Sequence, residues 1–417
     1  MSNKSTQQLQ VLMMGGQRSG KTSLIAGLLE TIEHGEVSQI IKAVDETKND
    51  VTKQMMREKV QDLKYYLRKD LYKTFLVDDE KKTSTFEDIY ISFGVPKTDK
   101  KMTIKFTDAN GEFYDTRATQ QSGEIRNLVE AYDVFVIAID TTYLMEAVNP
   151  DNKMCTEAVN KKYNCVGSVQ NFLTYVDDKE GNDAKLVIFV PLKCEKWAKE
   201  GKLDDVVHRV EEVYATTITN LSSYSNVEID IMPVQTVGNI VFVEQLAAYV
   251  YQVTDEQVRK CALDSSRTMI RFGDGEERER RPTDKIFPDG NAAMGKLVRP
   301  NSWYKIVGSS YEPSNCDQLA YYILRFFLAK AISAKGISET KKNKKSSFWD
   351  KIWLLPHLNP FFAVVYATYL IIKLQLGTLS LGQLEEIITK LQKNGLIKVN
   401  CEGIKTIKES RLYKMIQ

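Results

Sequence analysis

Up to about residue 240, short apolar runs of strand length alternate with longer amphipathic runs of helical length. The pattern predicts strands at 9–14, 88–94, 102–107, 133–139, 186–192 and 227–234. It predicts helices at 21–33, 51–68, 123–131, 166–177 and 204–222. Several strands, such as Val134-Phe135-Val136-Ile137-Ala138-Ile139, are apolar at every position. Strands read this way when both faces are buried. Alternation of such strands with helices predicts an α/β fold, a mostly parallel sheet with helices on both faces.

The pattern breaks at 270–301, where a charged stretch carrying glycine and proline reads as a long surface insertion. A helix near 314–333 follows, with Leu319, Tyr322, Ile323, Phe326, Phe327 and Ala331 on one stripe. It is the expected last helix of a sheet domain spanning 1–334. A polar linker, 335–349, carries Lys341, Lys342, Lys344 and Lys345. Residues 350–417 then read as a small α/β module. In it Leu381, Leu384, Ile387, Ile388 and Leu391 repeat at helical spacing, Asn394-Gly395 stops the helix, and strands are expected at 396–400 and 404–408. Helix, strand, tight turn, strand resembles the second half of a winged-helix domain.

Composition narrows the classes. The chain of 417 residues is 43% hydrophobic and 27% charged, as a folded globular protein should be. A net charge of +2 is too near balance to imply a general nucleic-acid surface. Six cysteines without a C-x-x-C pair, and three scattered histidines, argue against zinc and for reduced thiols in a cytoplasmic protein. The polar N-terminus lacks a signal-peptide core. The most apolar segment, 361–372, is far shorter than the roughly 20 residues that span a bilayer, so no integral membrane segment is expected.

Gly15-Gly16-Gln17-Arg18-Ser19-Gly20-Lys21-Thr22-Ser23 matches G-x-x-x-x-G-K-[ST], between a predicted strand and a predicted helix. Gly15 and Gly20 let the backbone curl so that its N–H groups face phosphate oxygens, and the helix N-terminus adds partial positive charge. Lys21 is expected to reach the β and γ phosphates, and the Thr22 hydroxyl to ligate Mg²⁺. A second motif, Asp108-Ala109-Asn110-Gly111, ends the strand at 102–107. At the tip of a sheet strand such an aspartate can hold Mg²⁺ through water, and the glycine can turn its N–H toward a γ-phosphate.

With these two motifs, 9–240 and the helix near 314–333 resemble the translation-factor-related branch of P-loop GTPases that includes Ras-like proteins. The resemblance implies a three-layer P-loop NTPase fold, GTP or GDP as ligand, Mg²⁺ as cofactor, and slow hydrolysis of GTP as the reaction. It implies that Gly15, Gln17, Arg18, Ser19, Gly20, Lys21, Thr22 and Ser23 hold phosphate, and that Asp108 is the Mg²⁺-linked aspartate. It makes Gly111 the γ-phosphate sensor. Thr85 rather than Thr83 becomes the switch I threonine that meets metal and phosphate. Glu112 stands where the family often has a water-orienting Gln or His. Lys193 matches the lysine that covers the base, and Glu195 takes the place of the base-reading aspartate, while Leu192 replaces its asparagine. Thr236 falls where a second base-contacting loop is expected. Arg18 and Arg117 are candidates for an internal arginine finger.

The altered base motif, the insertions and the C-terminal module look more like bacterial double-GTPase or GTPase-like families of multi-gene stress and conflict systems. Tyr311-Glu312-Pro313 ahead of Asn315-Cys316 is similar to those families as well. The expected partners are a guanine nucleotide and a protein partner or activator. Beside a nucleic-acid-binding regulator acting through the winged-like end, which near-neutral charge disfavours, two rivals stay open. One is an ATPase using the same site. The other is a non-hydrolysing scaffold that nucleotide stabilises and that acts through its C-terminal module.

Overall fold

The computed structural model describes residues 9–34, 42–67, 71–73, 87–94, 101–108, 122–152, 155–176, 184–246, 249–250, 270–272, 296–297, 301–316, 403–408 and, in the helical stretch between, 318–320, 322, 323, 326 and 330. In chain order the first half runs β1 (Leu9–Gly15), α1 (Lys21–His34), β2 (Lys42–Asp45), α2 (Asp50–Leu67), β3 (Leu71–Lys73), β4 (Glu87–Gly94), β5 (Lys101–Asp108), α3 (Ser122–Ala131) and β6 (Val134–Asp140). There follow α4 (Thr141–Glu146), α5 (Glu157–Tyr163), α6 (Val166–Leu173), β7 (Lys185–Leu192), α7 (Glu195–Lys199), α8 (Leu203–Val213), α9 (Ala215–Ser222) and β8 (Val227–Ile231). The remaining strands are β9 (Ile240–Leu246), β10 (Tyr249–Val250), β11 (Ile270–Phe272), β12 (Lys296–Leu297), β13 (Asn301–Ile306) and β14 (Lys405–Lys408).

Eight strands form one sheet in the order β14-β8-β7-β6-β1-β5-β4-β2. The five from β8 to β5 are mutually parallel. β4 and β2 extend the sheet antiparallel at one edge, and β14 does so at the other. Every residue of β6 and β7 is buried, as their unbroken apolar runs predict. Alternation along these strands gives each face its own core. Leu12, Met14, Phe135, Ile137, Val187, Phe189, Ile229 and Ile231 face one cluster that α3, α6, α8 and α9 cover. Leu24, Ile25 and Leu28 of α1, with Leu319, Ile323 and Phe326, are buried outside that cluster. The mostly parallel α/β sheet read from the pattern is therefore the observed one.

Differences have local causes. The helix expected at 204–222 is two helices broken at Tyr214, whose φ of −105° and ψ of 16° cap both. Its ring, fully buried, packs on Phe189 at 5.0 Å. The strand expected at 227–234 ends at Ile231, because Pro233 has no N–H to donate. Its chain still tracks β7: the Met232 N–H donates to Phe189 and the Val234 N–H to Pro191. The strand expected at 404–408 is present as β14, but it lies on the main sheet, paired with β8. The linker at 335–349, the rest of 350–417 and most of 270–301 lie outside the described residues. Among the described residues, no helix is long and apolar enough to cross a membrane.

Because β1, β5, β6 and β7 are parallel, their C-terminal ends fall along one edge of the sheet. Gly15, Asp108, Asp140 and Leu192 stand there. Open α/β sheets bind ligands in the crevice beyond such strand ends.

Candidate functional site

The loop from Gly15 to Gly20 joins β1 to α1 through a bend that only particular residues allow. Gly15 has φ of 133° and Gly20 of 107°. A side chain on Gly15 would stand 2.2 Å from the Ala138 carbonyl oxygen, so the loop lies against the end of β6. Gly16 is pressed still harder: a Cβ there would fall 1.8 Å from the Tyr163 carbonyl oxygen. The junction of α5 and α6 thus props the loop from the side. Arg18 adopts the left-handed conformation at φ 63°. Ser19 is buried, and its hydroxyl has no hydrogen-bond partner among the described residues.

The Lys21 ammonium curls back over this loop and donates to the carbonyls of Gly15 at 3.1 Å and Gly16 at 3.0 Å. One residue on, the Thr22 hydroxyl donates to Asp108 Oδ2 at 2.9 Å. Two motifs 86 residues apart are so brought into direct contact. Burial lowers the Lys21 pKa, with Asp108 and Cys165 opposing it, and raises that of Asp108, with Lys21 and Thr22 opposing it. Each charge is disfavoured by its own desolvation. An anion added to Lys21 and a cation added to Asp108 would relieve both.

The opposite end of the crevice is made by the chain after β7. Lys193 is left-handed at φ 60°, and its ammonium donates to the Arg18 carbonyl at 2.9 Å. It also pairs with Asp140 Oδ2 at 2.5 Å. Leu192 is buried beneath the loop, 3.2 Å from where a Cβ on Gly20 would stand. Glu195 opens α7 and is 4% exposed. Desolvation pushes its carboxyl up to about 7, against hydrogen bonds from backbone N–H groups that include Val237 and Gly238 and against the charge of Lys193. It therefore ties α7 to the chain after β8, where Thr236 is also buried. That chain is held from outside by 310–316: Gln235 and Ser314 exchange backbone hydrogen bonds of 3.0 and 2.9 Å, and the Glu312 N–H donates to Val237. The Tyr311–Cys316 segment thus buttresses the loop that contains Thr236.

The structure brings Lys21, Thr22 and Asp108 together at one end, and Lys193, Glu195 and Thr236 at the other. Thr85, Gly111, Glu112 and Arg117 lie outside the described residues. Two residues that the motifs do not include belong to the site. Asp140 sits at the tip of β6 and binds Lys193. Asn164 clamps the Asp140 backbone, its Oδ1 accepting the Asp140 N–H at 2.7 Å and its Nδ2 donating to the Asp140 carbonyl at 3.2 Å. Asp140 was discoverable as a carboxylate ending a fully apolar strand. Asn164 carries no such signal.

No protein-family model matches the chain, and no curated protein matches it in sequence. Among solved structures it is similar to the signal recognition particle receptor SRb-GTP/SRX complex from Chaetomium thermophilum, at 10% identity and a TM-score of 0.27, over 55% of this chain and 92% of that one. It is similar to Sup35 complexed with GMPPNP at 13% identity and a TM-score of 0.26, over 55% of this chain and 37% of that one. The cytosolic domain of the T. maritima FeoB iron transporter in its GMPPNP form gives 10% identity and a TM-score of 0.24, over 93% and 98% of the two chains. Likeness at these TM-scores leaves the function of this chain to its own site.

Proposed function

We propose that the protein binds a guanine nucleotide through the 15–23 loop and hydrolyses GTP slowly to GDP and phosphate. The observation that carries this reading is the pair of contacts that bring Lys21 onto the loop carbonyls and Thr22 onto Asp108. A buried ammonium over a glycine loop at a helix N-terminus favours phosphate oxygens. The orphan Ser19 hydroxyl lies in the same loop. The Thr22 hydroxyl and Asp108 carboxylate are hard oxygen donors of the kind that Mg²⁺ takes, so the residues fit that ion. When bound, Mg²⁺ neutralises charge on the β and γ oxygens.

In this reading Lys21 leaves the Gly15 and Gly16 carbonyls and takes up the phosphates, and the loop N–H groups hold them. Water then attacks the γ-phosphorus and the β–γ anhydride bond breaks. Charge that builds on the bridging and terminal oxygens is stabilised by donors already in place. Gly111 and Thr85 sense the γ-phosphate. Glu112, ionised beside a polyanion, repels it by about 1 kcal/mol or more at ~4 Å even in water. Intrinsic turnover is then expected near the unassisted rate of roughly 10⁻⁴–10⁻² s⁻¹, and a protein partner supplies the acceleration.

At the base end, an ionised carboxylate offers about four acceptor sites. Its own N–H and those of Val237 and Gly238 use three on Glu195, leaving one for an N–H of guanine. Leu192 lacks the side-chain amide that would add a further contact, and this favours adenine nucleotides as the second reading. Calorimetric titration of the purified protein with GTP, GDP and ATP, with and without Mg²⁺, tests both. Guanine nucleotides should bind at least tenfold more tightly than ATP. Equal affinity would defeat the guanine assignment, and absence of binding would defeat the reading as a whole.

A further inference from the structure

Two non-glycine residues at the site hold left-handed backbone, Arg18 in the phosphate loop and Lys193 after β7. They are the two ends of one hydrogen bond, from the Lys193 ammonium to the Arg18 carbonyl. That conformation is strained for a residue that carries a Cβ. It persists where the surroundings over-determine it. Asp140 is the group that does so. Its carboxylate is 3% exposed, and Oδ2 pairs with the same Lys193 ammonium. Oδ1 accepts from the Thr142 N–H at 3.0 Å and the Thr142 hydroxyl at 2.6 Å, which caps α4. Asn164 fixes the Asp140 backbone from both sides, and Asn160 accepts from Asn164 Nδ2 at 2.8 Å. The carboxylate therefore has a rigid base, and the lysine has one place to go.

We propose that Asp140 is a positioning residue for the phosphate loop: it fixes the Lys193 ammonium, and through it the Arg18 carbonyl, so that the loop holds its bend before ligand arrives. This rests on the nucleotide reading above. With the acid gone, Lys193 is free to turn toward solvent, Arg18 relaxes, and the loop N–H groups lose their common aim. The loss appears in ligand affinity, because the loop must then be ordered at the moment of binding.

A double-mutant cycle read with a fluorescent GDP analogue tests this. Asp140→Asn should weaken binding about tenfold, and Lys193→Met by a similar factor. The double variant should bind within twofold of Lys193→Met alone, because Asp140 acts through the lysine. Thr142→Ala removes one cap contact and leaves the ion pair, and should stay within twofold of wild type. If Asp140→Asn fails to fold, Asp140→Ser keeps a capping oxygen without the charge and replaces it in the cycle. Independent losses that multiply to about a hundredfold would overturn the proposal. So would a Thr142→Ala loss equal to that of Asp140→Asn, or an Asp140→Asn variant that binds like wild type. A wild-type protein that binds no analogue overturns the nucleotide reading itself, and this proposal with it.

Discussion

The two ends of the crevice are built in opposite ways. The end proposed for phosphate is one continuous stretch, Gly15 to Thr22, completed by a distant carboxylate, Asp108. Its side chains bond to loop carbonyls or to each other. The end proposed for the base is assembled from Asp140, from Lys193 and Glu195, and from the Val237-Gly238 backbone, three separate parts of the chain. Its side chains bind one another's segments and brace the loop as well. The comparison teaches that stereochemistry restricts one end, since few residues allow that bend, whereas the other depends on braces that only the fold brings together.

If this contrast is sound, the largest effect should come from the phosphate end. Lys21→Ala should weaken GTP binding about 100-fold, or about 3 kcal/mol, within the range for deleting one partner of a buried charge contact. Thermal stability should hold or rise, since the variant removes a desolvated ammonium. A folded variant with unchanged affinity, by fluorescence titration, would break the contrast outright.

Next comes the acid at the base end. Glu195 has a folded-state carboxyl at about 7 against an ordinary 4.5. The folded state thus binds more protons than the unfolded one between these values, so stability falls as pH rises from about 4.5 to 7. At about 1.4 kcal/mol per pH unit the full loss approaches about 3 kcal/mol. Glu195→Gln should remove that slope, measured as unfolding free energy against pH, and should also lower the preference for guanine over adenine. A slope that persists in the variant assigns it to another group.

Gly16→Ala places a methyl group on the Tyr163 carbonyl and should cost about 1–3 kcal/mol in stability, the range for overpacking. It should also loosen nucleotide, because the clash lies in the loop itself. A neutral result in urea denaturation would mean that the α5–α6 junction yields freely. The smallest change is expected at Glu112→Gln, where basal hydrolysis should stay level or rise modestly in a single-turnover assay. A hundredfold fall would make Glu112 a catalytic base.

What could be read from the sequence follows the same division. The sheet was legible because strands buried on both faces are apolar throughout, as in β6 and β7. The bend from Gly15 to Gly20 was legible because its glycines are forced by backbone angles. Helices α4, α5 and α7 are too short to show a period, and among the described residues β9 and β13 pair with each other, outside the main sheet. The break at Tyr214 comes from one ring finding room against Phe189. Lys193 and Glu195 could be named from position, but not the Asp140 and Val237-Gly238 contacts that fix them. Those contacts depend on which loops the fold brings together, and no local pattern encodes that.

Strand β14 also bears on how the protein is made. Thr406 bonds to Asp230 across 176 residues of sequence. At ~5–20 residues per second, the ribosome takes roughly 10–35 s to deliver β14 after β8 has emerged. Through that interval β8 has an open edge, the kind of surface on which nascent chains join one another. Two carboxylates, Glu228 and Asp230, stand in that short strand and end fully buried. While β8 waits they are charges that a foreign strand would have to desolvate, so the acids that look costly in the finished sheet protect the unfinished one.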